Sequence, residues 1–101
     1  MKESDLKQKW NSAIDTFGHE YGHALHAKEV PYQQWATWRR GKFGSGKIGA
    51  LRKSVAKQVS DYATTNPQEF VAETFAGNLN GKKYSKEVYA MYKEYKGPKL
   101  K

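Results

Sequence analysis

Apolar residues in this chain recur at intervals of three and four and nowhere settle into alternation with polar ones, so the sequence predicts a mainly α, compact helical core with little or no β-sheet. From Ser4, a good N-cap, the series Leu6, Trp10, Ile14, Phe17, Tyr21, Ala24 and Leu25 marks an amphipathic helix over about residues 5–27. Val30-Pro31 interrupts it, and Pro31 suits the first turn of a short helix whose Tyr32, Trp35 and Trp38 would anchor it to the core before it stops at Gly41. The glycines between Gly41 and Gly49 predict a loop, with room for a small hairpin. Ile48, Leu51, Val55 and Val59 then mark the apolar face of a third helix ending near residues 61–65, with Lys47, Arg52, Lys53 and Lys57 on its solvated side. Asn66-Pro67-Gln68-Glu69 joins an N-cap, a proline at the first helical position and an acid at the third, so a helix begins there and runs to about Leu79 before Asn80-Gly81. A last helix starts at Ser85, turns Val88, Tyr92 and Tyr95 inward, and ends at Gly97-Pro98; the lysine-rich tail 97–101 is expected to fray.

One domain is the expectation for 101 residues, and 38% hydrophobic with 14% aromatic residues is enough for a small packed core. The chain has no cysteine, so any transition-metal site must draw on histidine and carboxylate. The net charge of +8 favours solubility and attracts polyanions, but names no partner. No apolar run approaches the roughly 20 residues that span a bilayer, and the polar start Met1-Lys2-Glu3-Ser4-Asp5 is no signal peptide, so no membrane partner is expected.

His19-Glu20-Tyr21-Gly22-His23 carries the chemistry. On a helix this spacing puts both imidazoles on one face, one turn apart, where they can share a zinc ion while the glutamate reaches the water beside it. At about 100° per residue His19, His23 and His26 share one sector, and Tyr21 and Ala24 fall with Trp10, Ile14 and Phe17 on the other, which predicts that the histidines lie off the core stripe. His26, one turn past His23, is expected to face solvent or to support the site. A catalytic zinc needs a third protein ligand. Glu69 and Glu73 stand one turn apart on the helix after Asn66, yet Glu69 could instead close a capping box with Asn66, and Glu73 could be a solvated surface acid.

The pairing of His19-Glu20-Tyr21-Gly22-His23-Ala24-Leu25 with the stretch from Ser60 to Ala76, which contains Asp61-Tyr62 and Asn66-Pro67-Gln68-Glu69-Phe70-Val71-Ala72-Glu73, resembles the zincin metallopeptidases of the anthrax lethal factor catalytic domain and its relatives in phage head proteins and bacterial toxins. The likeness covers roughly residues 13–80. It implies that His19, His23 and Glu69 bind zinc, that Glu20 is the general base, that Tyr62 assists at the oxyanion, and that Glu73 supports the metal site from behind. The implied activity is hydrolysis of a peptide or protein substrate, by a domain that could belong to a larger parent chain or a phage particle in a cytoplasmic or phage-associated setting.

One departure stands out. Zincins of this kind place a small sheet ahead of the motif helix, whose edge aligns the peptide by strand addition. Only 18 residues precede His19, and they read as helix. A zincin-like structural or interaction domain without turnover is therefore the competing class. A basic nucleic-acid-binding module ranks third, since the aromatic and basic stretch Trp35 to Lys57 is accounted for by a solvated basic face. Gly41-Lys42-Phe43-Gly44-Ser45-Gly46-Lys47-Ile48 approaches a phosphate-binding loop, but Ile48 stands where a hydroxyl is required and no strand precedes the first glycine.

Overall fold

The computed structural model describes residues 18–100. The first described helix, α1, covers residues 18–29, so the Ser4 cap and the positions Leu6, Trp10, Ile14 and Phe17 lie outside the described residues. There follow α2 (Tyr32–Gly41), α3 (Gly46–Lys57), a 3-10 turn (Tyr62–Thr64), α4 (Pro67–Leu79) and α5 (Lys86–Glu94). The fold is mainly helical, with no strand among the described residues, and the glycine loop holds no hairpin.

The centre of the fold is α4. Its buried positions Phe70, Val71, Ala72, Thr74, Phe75, Ala76 and Gly77 run around most of its circumference, as expected of a helix enclosed by others. The Asn66 side chain accepts the Glu69 amide at 2.8 Å, and Pro67 occupies the first turn, so the start is fixed locally as the sequence predicts. The helix ends at Asn80, where Gly81 supplies the left-handed φ of 86° that stops it. Ser85 caps α5 by accepting from Val88, and Val88, Tyr92 and Tyr95 all turn inward as expected. Phe43, from the loop before α3, plugs the core between Phe70 and Tyr95.

Three helix faces differ from their sequence patterns. On α1 the buried positions are Gly18, Gly22 and His26, whereas Tyr21 is 58% exposed and Ala24 is also exposed. The reason is steric. A Cβ on Gly22 would sit 3.1 Å from Phe75 and 3.3 Å from Ala72 Cα, and one on Gly18 would be 3.3 Å from Ala76, so the glycines let α1 lie against α4 at close range. Glycine carries no hydropathy, and a pattern built on large apolar residues misses such a face. On α3 the buried positions are Gly49 and Ala56, with Val55 and Val59 half-buried, while Ile48 and Leu51 are each 67% exposed. On α2, Trp35 and Trp38 are half-buried as anchors, but Tyr32 points to solvent.

The tail also departs from expectation. Tyr92 donates to the Pro98 carbonyl, Pro98 is buried, and Leu100 packs against the core, so the chain is held to residue 100 instead of fraying after Gly97.

Candidate metal centre

The glycine contact between α1 and α4 sets His19 and His23 opposite the acids of α4. Glu69 stands at the third position of α4 and Glu73 one turn on; both are half-buried in a helix that otherwise buries almost every side chain. Glu69 Oε1 lies 3.0 Å from His23 Nε2, and its Oε2 lies 2.9 Å from His19 Nε2. The capping role of this segment falls to the Asn66 side chain and the Glu69 amide, which leaves both carboxylate oxygens for the imidazoles. Of the two roles open to Glu69 in the sequence, the one facing the histidines is the one its side chain adopts.

Behind His19 the arrangement continues. Nδ1 is 3.0 Å from Glu73 Oε2, and Glu73 Oε1 accepts from Ser60 Oγ at 2.9 Å. Ser60 in turn accepts the Ala63 amide at 3.1 Å, tying the acid to the 3-10 turn. Glu73 is thus no solvated surface acid. By accepting from Nδ1–H it fixes the tautomer of His19 and turns the Nε2 lone pair toward Glu69, the outer support usual for metal-ligating histidine. The role of Ser60 beside Glu73 is not legible in the sequence. Its one local signal is a hydroxyl three residues before an amide, which marks a turn and says nothing about Glu73.

Two acceptors then face each other, an imidazole lone pair and a carboxylate oxygen. Glu69 Oε2 is buried and accepts no hydrogen bond, despite its 2.9 Å approach to His19. A cation between them reconciles the contact. The ligand atoms of His19, His23 and Glu69 lie within 4.8 Å of one another. Their close approaches are near the edge of roughly 3.3 Å expected for a tetrahedron with bonds of about 2.0–2.1 Å. The residues therefore fit a divalent ion of zinc's size and ligand preference, and a proton shared between the same atoms is the competing occupant.

Tyr62 lies alongside, its ring 5.7 Å from that of His19, and is 56% exposed. The Glu69 carboxylate beside it holds its hydroxyl above the usual phenol range, with lesser contributions from burial, the hydrogen bond to Glu69 and the charges of Glu73 and Glu20. It stays a proton donor. Glu20 is exposed and has no ion pair among the described residues, and its charge adds a small part to the raised pKa of Tyr62. A cleft of about 250 Å³ opens beside the ligands, lined by His23, Trp35, Arg39, Asn66, Gln68 and Glu69. This cleft has no local signature in the sequence, because its walls come from helices distant in the chain.

His26 departs from expectation. It is fully buried, donates from Nε2 to the Tyr95 carbonyl at 2.7 Å, and stacks on Trp38 at 5.7 Å with Trp35 edge-on at 4.8 Å. It faces neither solvent nor the cluster around Glu69 but joins α1 to the end of α5 through the core. The helix turns between His23 and His26, so the third histidine meets indoles where the first two meet carboxylates.

No protein-family model, no curated protein and no solved structure matches this chain. No helix among the described residues is long and apolar enough to cross a membrane.

Proposed function

We propose that this chain is a zinc-dependent peptidase core in which His19, His23 and Glu69 hold the metal. The observation that carries the reading is the meeting of two imidazole nitrogens from α1 with both oxygens of one α4 carboxylate, in a cluster whose ligand atoms lie within 4.8 Å of one another. The order of its motifs, resembling the lethal-factor type of zincin, supports the same reading. Zinc, when bound, supplies Lewis acidity and makes water a nucleophile at neutral pH.

The chain's own residues divide the rest. Glu20 has no carboxylate-neutralising partner among the described residues, so it is available to take the proton of the attacking water and pass it to the leaving amine. Tyr62, kept protonated by its acidic neighbours, donates to the oxygen on which charge develops. Glu73 and Ser60 hold His19 in one tautomer and one orientation.

A second reading is favoured by one observation. No strand is present among the described residues to align a peptide, which is what a zincin-like structural domain without turnover would show. Such a domain could serve within a larger parent protein or a phage particle. The two readings part on Glu20→Gln. For the peptidase, the variant keeps its zinc and loses cleavage of a casein or mixed-peptide substrate by about 100-fold or more. Cleavage equal to wild type would remove Glu20 from its role, and zinc binding without any cleavage by wild type would favour the structural domain.

A further inference from the structure

We propose that the cleft beside the ligand cluster selects a carboxylate-bearing side chain of the peptide, and that Arg39 is the residue that reads it; this rests on the peptide-binding part of the reading above. The cleft lies between α2, which contributes Trp35 and Arg39 one turn apart, and the start of α4, which contributes Asn66, Gln68 and Glu69. Because His23 and Glu69 also line it, a molecule in the cleft sits against the metal-binding groups.

The lining carries one cation and one acid, Arg39 and Glu69. Arg39 is the only lysine or arginine in the lining, and it has no carboxylate partner among the described residues. The one acid in the wall, Glu69, commits both oxygens to His19 and His23 and so does not satisfy Arg39. The first turn of α4 adds the positive end of a helix of 13 residues to the same wall. A guanidinium presents its donors as a planar fork that matches a carboxylate, and Arg39 is exposed to receive one, with the indole of Trp35 lining the same cleft.

The wall is also built in advance. Gln68 is 3% exposed, and its amide donates to the Trp35 carbonyl at 2.5 Å, which locks α2 to α4 along the cleft. A carbonyl can only accept, so the amide nitrogen must face it, and Gln68 Oε1 is left buried without a partner. Arg39 could serve merely as a basic residue in the last turn of α2, favourable to the helix dipole. Arg40 has that same place and lines a different hollow with Tyr32, Gln33, Ala36 and Thr37, so it provides the control.

Binding, not turnover, tests the proposal. A capped pentapeptide with one central glutamate among alanines, and its glutamine and lysine counterparts, are titrated by tryptophan fluorescence into the full chain carrying Glu20→Gln, with and without zinc. The glutamate peptide should bind about fivefold more tightly than the glutamine peptide. That preference should vanish with Arg39→Gln, turn toward the lysine peptide with Arg39→Glu, and persist with Arg40→Gln. Equal binding of the glutamate and glutamine peptides, no binding of either, or a preference that survives Arg39→Gln would overturn it. Hydrolysis is judged separately on wild type, so a chain that selects glutamate through Arg39 but cleaves nothing would keep this inference and lose the peptidase reading.

Discussion

His19 and His26 stand on the same helix two turns apart and do opposite things. His19 has a carboxylate at each ring nitrogen, 2.9 and 3.0 Å away, and lies at the edge of an open cleft's ligand cluster. His26 has a backbone carbonyl on one nitrogen, no hydrogen-bond partner on the other, and two indoles in ring contact, one stacked and one edge-on. Residue type and helical position are shared; the partners supplied by α4 in one case and by α2 and α5 in the other decide the role. An acid at each ring nitrogen suits His19 to the ligand role proposed for it, whereas the packed ring of His26 makes it a core residue.

The sharpest way to break this contrast is to truncate each imidazole. His19→Ala or His23→Ala should weaken zinc binding by on the order of 1,000-fold, about a third of the free energy typical of a structural zinc site, while the helices persist. His26→Ala should leave the zinc stoichiometry of the folded protein unchanged. Removing a fully buried ring from contact with two indoles should instead cost about 2–4 kcal/mol of stability, seen as a fall of roughly 10–20 °C in melting temperature. If His26→Ala abolished zinc while His23→Ala left it intact, the two regions would have been assigned the wrong way round.

A smaller effect sharpens the same comparison through pH. Burial holds His26 below its ordinary value of 6.5, helped by the charge of His23 and opposed by the hydrogen bond to Tyr95. The unfolded chain therefore takes up its proton at a higher pH than the folded one. Stability from this group is fully present above about pH 6.5 and is lost as pH falls from there through the folded value. In zinc-free protein, melting temperature should drop more steeply between pH 7 and 5 for wild type than for His26→Gln, whose amide can still donate to Tyr95. Parallel slopes for the two proteins would mean that His26 is not held neutral by the core.

The parts of this molecule that are legible in the sequence are those written in local chemistry. Asn66-Pro67 fixes the start of α4, Gly81 its end and Ser85 the start of α5, because capping and left-handed turns depend on residues a few positions apart. The histidine pair is legible for the same reason. What fails is the choice of face. Gly18 and Gly22 on α1, and Gly49 and Ala56 on α3, bury because their neighbours come close, and small residues give no hydropathic sign of it. By the same logic the pattern turns Ile48 and Leu51 toward the core, whereas both lie exposed. Within the site, Glu69 and Glu73 could be proposed only through the resemblance, since each had a local alternative. Ser60 and the cleft of Trp35, Arg39 and Gln68 depend on contacts between segments far apart in the chain.

Glu69 bears the central claim, because among the described residues its carboxylate is the one that meets both His19 and His23. The direct measurement is a zinc titration at neutral pH of wild type, Glu69→Gln and Glu73→Gln, with circular dichroism to establish equal helicity. Glutamine at position 69 keeps the amide that Asn66 caps, so folding should be preserved. Wild type should bind one zinc per chain, Glu73→Gln should bind it about 10- to 100-fold more weakly as expected for a group that supports a ligand, and Glu69→Gln should lose more than that. Wild type that takes up no zinc, or Glu69→Gln that binds it as tightly as wild type, would contradict the account.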